Sequence, residues 1–276
     1  KEFMEKWHAN YSYVYEWIPL RINWSVGMGK SYMRIRKLPS NMFTPEELWV
    51  PQVIIDEVRK YKEGGLIVVS ARPGSGKSTT IASVLQKIFN EEKTINAITL
   101  EDPIEYLYNQ DTNSIIEQRE KIVDFDDFST WVEACMRQTP DIVFVQEMTN
   151  KEIVRQVMDL AEKWVLVITT LHTSDATSIF ESIVWAYDSN RRKEILWKLS
   201  TLFRCFISQK LIRRKSGKWK VAVFEVLVNN NESKGYILDD KTENLHQIMV
   251  REPNILMSQS ILEKIEEEEI SLKDGL

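Results

Sequence analysis

The spacing of hydrophobic positions changes several times along the chain, and each change marks an element. Within residues 1–40, aromatic and branched side chains fall in short runs at 11–15, 20–24 and 32–35, which predict strands around a turn at Gly27-Met28-Gly29. A break follows at Pro39-Ser40-Asn41, and residues 44–62 read as helical, opening on a capping-box pair, Thr44 and Glu47, with Pro45 in the first turn. Residues 65–70 are short, apolar and β-branched, the pattern of a strand buried on both faces. Ile81, Val84, Leu85, Ile88 and Phe89 then recur along one helix face. Strand-like runs at 95–100, 142–145 and 165–169 alternate with helical spacing, as at Phe128, Trp131, Val132, Cys135 and Met136. Ile195, Leu196, Leu199, Leu202, Phe203, Phe206, Ile207 and Leu211 predict one long amphipathic helix. Residues 219–228 read as a strand after a Ser216-Gly217 turn, and the tail from Asn229 reads as helical. The alternation predicts an α/β fold with a mostly parallel sheet and helices on both faces.

Composition narrows the function classes. The chain has 276 residues, 43% of them hydrophobic, enough for one large or two smaller domains with a true core. A net charge of −5 argues against a nucleic-acid protein held by bulk charge. No apolar run reaches the roughly 18 residues that a membrane-spanning helix needs. Cys135 and Cys205 both fall on apolar faces of predicted helices, which suits free buried thiols in a reducing cytoplasm. Two cysteines cannot supply a four-thiolate zinc site. The acidic run 266–269 reads as a solvated face.

The most specific chemistry lies at 71–79, Ala-Arg-Pro-Gly-Ser-Gly-Lys-Ser-Thr, between a predicted strand and a predicted helix. That context makes it a phosphate-binding loop. Gly74 and Gly76, flanking Ser75, let successive N–H groups turn toward phosphate oxygens at a helix N-terminus. Lys77 and Thr79 are expected to bind the phosphates of ATP and Ser78 to hold Mg²⁺. Ala71 stands where the motif has its first glycine, a small change wherever φ stays negative. Glu147 closes the run 142–145 and is expected to orient a water and accept its proton, whereas Asp141 opens that run and reads as structural. Glu101, at the end of another predicted strand, is expected to support the metal or the water; Asp102-Pro103 beside it also reads as simple turn chemistry. His172 follows the predicted strand 165–169, where it could sense or donate to a γ-phosphate. His8 and His246 read as locally satisfied histidines.

In order along the chain, 71–79, 100–105, Gln118-Arg119-Glu120, 140–148, 170–173, Gln209-Lys210-Leu211 and 224–228 resemble the motifs of the PilT-like branch of the secretion and type IV pilus motor ATPases. The resemblance implies a RecA-like P-loop NTPase domain over 63–276 with a helical tail. It implies a linker or helix over 44–62 and a partial PAS-like α+β domain over 1–43, of which the second half is present. It also implies a homo-hexamer whose ATP, with Mg²⁺, sits between the two domains and is completed by an arginine of a neighbouring subunit, for which Arg21, Arg34 and Arg36 are candidates. The implied place of work is the cytoplasmic face of the inner membrane, on the platform protein of a pilus or secretion system, with pilus retraction as the expected output. Membrane association would run through partners only, and no nucleic acid is involved. Departures from the family pattern are Gln146 for a glycine, Thr149-Asn150 for Arg-Asp, Trp164-Val165 for Gly-His, and Glu133 for an arginine. The tail motif linked to retraction is not legible near 233–238. Lys77, Ser78, Glu101, Glu147 and His172 remain, so hydrolysis is expected. The alternatives are a nucleotide-binding scaffold subunit with little turnover and a DNA-handling ATPase.

Overall fold

A computed structural model describes residues 8–275 except 17, 40, 122, 126 and 218, so residues 1–7 and Ser40 of the expected break lie outside the described residues. The three expected N-terminal strands form at His8–Tyr15 (β1), Ile18–Gly27 (β2) and Lys30–Lys37 (β3). They pair antiparallel in the order β1-β2-β3, and the β2–β3 turn closes at Met28-Gly29, both at positive φ.

The helix expected over 44–62 is interrupted. The capping pair does form, with the Thr44 amide donating to Glu47 at 2.7 Å and the Glu47 amide to Thr44 Oγ1 at 3.2 Å. It encloses a single turn, after which Trp49 adopts a φ of 54°. Pro51 then disfavours helical geometry at Val50, so helix α1 starts only at Gln52 and runs Gln52–Arg59.

The remaining elements follow in sequence: β4 Gly65–Ser70, α2 Lys77–Glu91, β5 Asn96–Glu101, β6 Ile115–Glu120, α3 Phe128–Arg137, β7 Ile142–Val145, α4 Lys151–Ala161 and β8 Leu166–Leu171. After them come α5 Ser178–Val184, α6 Arg192–Leu202, β9 Phe203–Arg213, β10 Lys220–Val228, α7 Asn231–Leu238, α8 Met257–Glu266 and a short α9 Leu272–Gly275. Seven strands make one sheet in the order β10-β9-β4-β8-β7-β5-β6, parallel except for the β9–β10 edge pair. Two apolar layers sandwich it. Ile54 and Val58 of α1 pack with Leu85 and Ile88 of α2 on one face, and Val157 of α4, Phe180 of α5 and Leu199 of α6 lie on the other. Every residue of β4, β7 and β8 is buried, as strands covered on both faces must be.

Two features were not anticipated. β6 carries Glu117, Gln118, Arg119 and Glu120 and lacks an apolar run, because it is an edge strand paired only with β5. The long helix expected over 195–211 ends at Leu202, and the rest is strand β9. The cause is a one-residue register shift: Leu66 pairs with Phe203, but Ile67 pairs with Cys205. The extra residue, Arg204, turns out to Glu63 at 2.7 Å. The shift puts Phe203 and Phe206 on the same face, with Cys205 and Ile207 on the other, so a bulged strand imitates helical spacing. Cys205 therefore sits on a strand, not a helix; it and Cys135 are buried free thiols.

Phe203 and Phe206 meet Phe180 with ring centroids 5.1 and 4.7 Å apart, all three fully buried. Phe206→Ala is expected to lose about 3–5 kcal/mol of stability, measured by urea unfolding. A loss below about 1 kcal/mol would mean that this cluster does not close the core.

Candidate active site at the strand ends

Sheet register gathers the chemistry. Ser70 at the end of β4 stands opposite Leu171 at the end of β8, and Val145 at the end of β7 pairs with Thr169 and with Leu100. The segments leaving four parallel strands therefore emerge at one edge, where open α/β sheets bind ligands. A cleft of about 570 Å³ opens there, walled by Gly74, Ser75, Gly76, Lys77, Ser78 and Thr79, by Gln146 and Glu147 after β7, and by Thr170 and His172 at the end of β8. Asp102, Glu105 and Tyr106 after β5 form a third wall, and Arg21, Arg36, Leu38 and Pro39 of the N-terminal region close the mouth.

The loop takes its shape from its glycines. Gly74 has a φ of 75° and Gly76 one of 84°, with Gly76 capping the start of α2. A Cβ on Gly76 would also come within 3.0 Å of the Gln209 side-chain amide. That amide donates to the Ser75 carbonyl at 2.8 Å, tying the loop to β9. Ala71 is absent from the positive-φ residues, which is why alanine serves at that position.

Lys77, His172 and Glu147 form one chain of contacts. Lys77 Nζ donates to the Ala71 carbonyl at 2.7 Å and lies 3.1 Å from His172 Nδ1. His172 Nε2 lies 3.0 Å from Glu147 Oε1. Nδ1 is also 2.9 Å from the Ala71 carbonyl, but a ring nitrogen cannot donate there while accepting from lysine. A neutral ring with its proton on Nε2 satisfies both Lys77 and Glu147. Burial pulls the Lys77 ammonium below its ordinary pKa, and Glu147 and Glu105 hold it up in part. A cation so placed gains from an anionic ligand.

The other expected site residues are sorted by the fold. Thr79 Oγ1 lies 2.8 Å from the Tyr106 hydroxyl, so its partner here is a phenol. Arg21 and Arg36 pair across β2 and β3 and both reach the cleft, where Arg21 donates to Glu105 at 2.8 Å. Arg34 pairs with Asn23 and is not on the cleft wall. Asp141 accepts from the Asn96 amide at 2.8 Å, the structural role expected of it. His246 bonds the Glu243 carbonyl, again as expected.

Glu101 does not reach the cleft. Its side chain turns into the protein, 4% exposed, and accepts from Thr99 Oγ1 at 2.7 Å and Gln118 Nε2 at 3.3 Å. Strand alternation explains the correction: Glu101 still belongs to β5, and the wall is built by the residues just beyond it, Asp102 and Glu105. Sequence reasoning placed Glu105 and Gln209 only within motifs of the resembled family, gave neither a role, and passed over Tyr106. Nearness to the strand end before it is the signal that could have pointed to Tyr106.

The chain is similar to known proteins along most of its length. The family model of the type II/IV secretion system proteins matches residues 54–274. The uncharacterized protein YggR of Escherichia coli (strain K12) is 33% identical over 79% of this chain and 65% of its own length. The type IV pilus ATPase PilU of Pseudomonas aeruginosa is 30% identical over 88% of this chain and 64% of its own length. The chain thus spans just under two thirds of the length of these relatives. The crystal structure of the pilus retraction motor PilT with bound ADP superposes with a TM-score of 0.90 at 29% identity, covering 100% of this chain and 78% of that one.

Burial pushes the Glu101 carboxyl from 4.5 up to about 7, against the pull of its hydrogen bonds from Thr99 and Gln118. A carboxyl whose folded pKa lies above its unfolded one keeps its full stabilising effect below pH 4.5 and loses it as pH rises through 7. The loss amounts to about 3 kcal/mol. Glu101→Gln should therefore melt progressively higher than the parent chain between pH 5 and pH 8. Parallel melting curves across that range would show that Glu101 is already ionised in the fold.

Proposed function

The chain belongs to the type II/IV secretion system protein family, and from that premise we propose that it is an ATP-hydrolysing motor subunit. The observation that carries the reading is the Lys77–His172–Glu147 chain at the mouth of a phosphate-binding loop. The backbone amides of 74–79 and the Lys77 ammonium bind the β- and γ-phosphates of ATP. Phosphate oxygens replace the Ala71 carbonyl and His172 as partners of Lys77, relieving its desolvation. His172, released from Lys77 but still beside Glu147, then registers whether a γ-phosphate is present. Glu147 orients the attacking water and takes its proton.

The oxygen-rich wall fits a magnesium ion, which usually takes one or two protein oxygens and completes its shell with phosphates and water. Among the described residues no group of three or more His, Cys, Asp or Glu side chains is placed to hold a metal. Ser78 would hold it, with Asp102 or Glu105 acting through water in place of the buried Glu101. When bound, the ion neutralises charge on the transferred phosphoryl group.

Arg21 and Arg36 face the chain's own nucleotide, which leaves Arg34 as the arginine offered to a neighbouring subunit in a ring hexamer. Hydrolysis shifts the N-terminal sheet against the ATPase domain, and that movement is the mechanical output. Its target is the inner-membrane platform of a pilus or secretion system, reached from the cytoplasm, with pilus retraction as the work done. Among the described residues no helix is long and apolar enough to cross a membrane.

Steady-state ATPase assays with Mg²⁺, alongside light scattering, test the reading. Turnover is expected to rise as hexamers form, to vanish in Lys77→Ala, and to fall about 10²–10⁴-fold in Glu147→Gln. Background turnover in the parent chain, unchanged in Glu147→Gln, would sink the motor reading and leave a nucleotide-binding scaffold.

A further inference from the structure

We infer that Gln146 is a positioning residue for the reaction: its side-chain amide fixes the acidic turn 102–105 against the end of β7, and so sets where Asp102 and Glu105 stand relative to Glu147. The catalytic part of this inference rests on the ATPase reading, and the structural part does not.

Gln146 stands where the resembled family has glycine, which has no side chain to bond the turn after β5. Its backbone is held from both sides of β7. The Gln146 amide donates to the Leu100 carbonyl at 3.0 Å, and the Thr170 hydroxyl donates to the Gln146 carbonyl. Its side chain is thereby aimed at the turn that leaves β5. Gln146 Oε1 accepts from the Asp102 amide, and Nε2 donates to the Pro103 carbonyl at 3.2 Å. One amide group thus engages a donor and an acceptor of consecutive backbone units, using both of its functions.

The other attachments of the turn lead elsewhere. The Ile104 amide donates to Glu120 Oε2 at 2.9 Å, and the Ser12 hydroxyl donates to the Ile104 carbonyl at 3.0 Å. Asp102 pairs with Lys121 at 3.3 Å and Glu105 with Arg21 at 2.8 Å. These contacts tie the turn to β6 and to the N-terminal sheet. Its tie to β7, the strand that presents Glu147, is the Gln146 amide. Residues 104–110 carry no regular secondary structure that could hold the turn in its place. Gln146 also lines the cleft, next to the carboxylates it spaces.

Groups that orient the residues around a metal or a reacting centre typically contribute about ten- to a hundredfold to activity. Displacing a reacting group by about 1 Å has a comparable effect. Gln146 acts at this level. It touches the turn, and the turn carries the carboxylates.

Gln146→Met keeps length and bulk but removes both hydrogen bonds, and Gln146→Glu keeps the acceptor facing Asp102. Two measurements test the inference on these variants. Hydrogen exchange without nucleotide is expected to speed up about tenfold at the Asp102 amide in Gln146→Met, with the α2 amides unchanged, and to stay near the parent rate in Gln146→Glu. In Gln146→Met, kcat is expected to fall about ten- to a hundredfold while KM for Mg-ATP stays within about twofold, because residues 74–79 are untouched. Unchanged exchange at Asp102 in Gln146→Met overturns the inference. So does a loss of kcat/KM carried by KM alone. If the parent chain shows no turnover, the ATPase reading fails on its own, and exchange at Asp102 still decides whether Gln146 holds the turn.

Discussion

The parallel register of β4, β8, β7 and β5 is the constraint on which the site depends. Hydrogen bonding aligns Ser70 with Leu171, Val145 with Thr169, and Leu100 with Val145. Four exits are thereby fixed at one edge to within a residue, with nothing in the exits themselves needed to bring them together. The strands hold this register because each is buried on both faces, so a slip by one residue would move its side chains into the wrong layer. The phosphate-binding loop inherits its position from β4, Glu147 from β7 and His172 from β8. The 3.0 Å contact between Glu147 and His172 is a product of that alignment.

The acidic turn after β5 also makes contacts in two directions. On one side it meets Gln146 and the cleft, and on the other it meets Ser12 and Arg21 of the N-terminal sheet. Glu120 binds both the Ser12 amide, at 2.6 Å, and the Ile104 amide, at 2.9 Å. A displacement at the mouth of the cleft therefore has a short hydrogen-bonded route to the N-terminal strands. The route consists of polar contacts, with Glu120 buried at its centre and Ser12, Arg21 and Glu105 half-buried beside it.

Much of the fold and part of the site were legible in the residues. The run 65–70, the loop 71–79 and the helix face from Ile81 to Phe89 specify one another locally, so strand, turn and helix appeared where expected. Ile142–Val145 was legible for the same reason, and Glu147 with it. Where expectation failed, a distant contact had overridden a local pattern. The bulge at Arg204 disguised β9 as helix, and only its pairing with β4 reveals the phase. β6 is polar enough to pass for a loop, and its pairing with β5 makes it a strand.

What the sequence determined by itself was the chemistry available and the local geometry that presents it. Glycines at positive φ, a lysine at a helix start and a glutamate after an apolar strand are decided within a few residues. Only the tertiary structure decided which carboxylates face the cleft. Glu101 and Glu105 lie four residues apart, and one is buried beside Thr99 and Gln118 while the other meets Arg21 at the mouth. The side on which a residue of a strand or loop emerges depends on its partners across the sheet. Those partners are distant in sequence, and no local pattern encodes them.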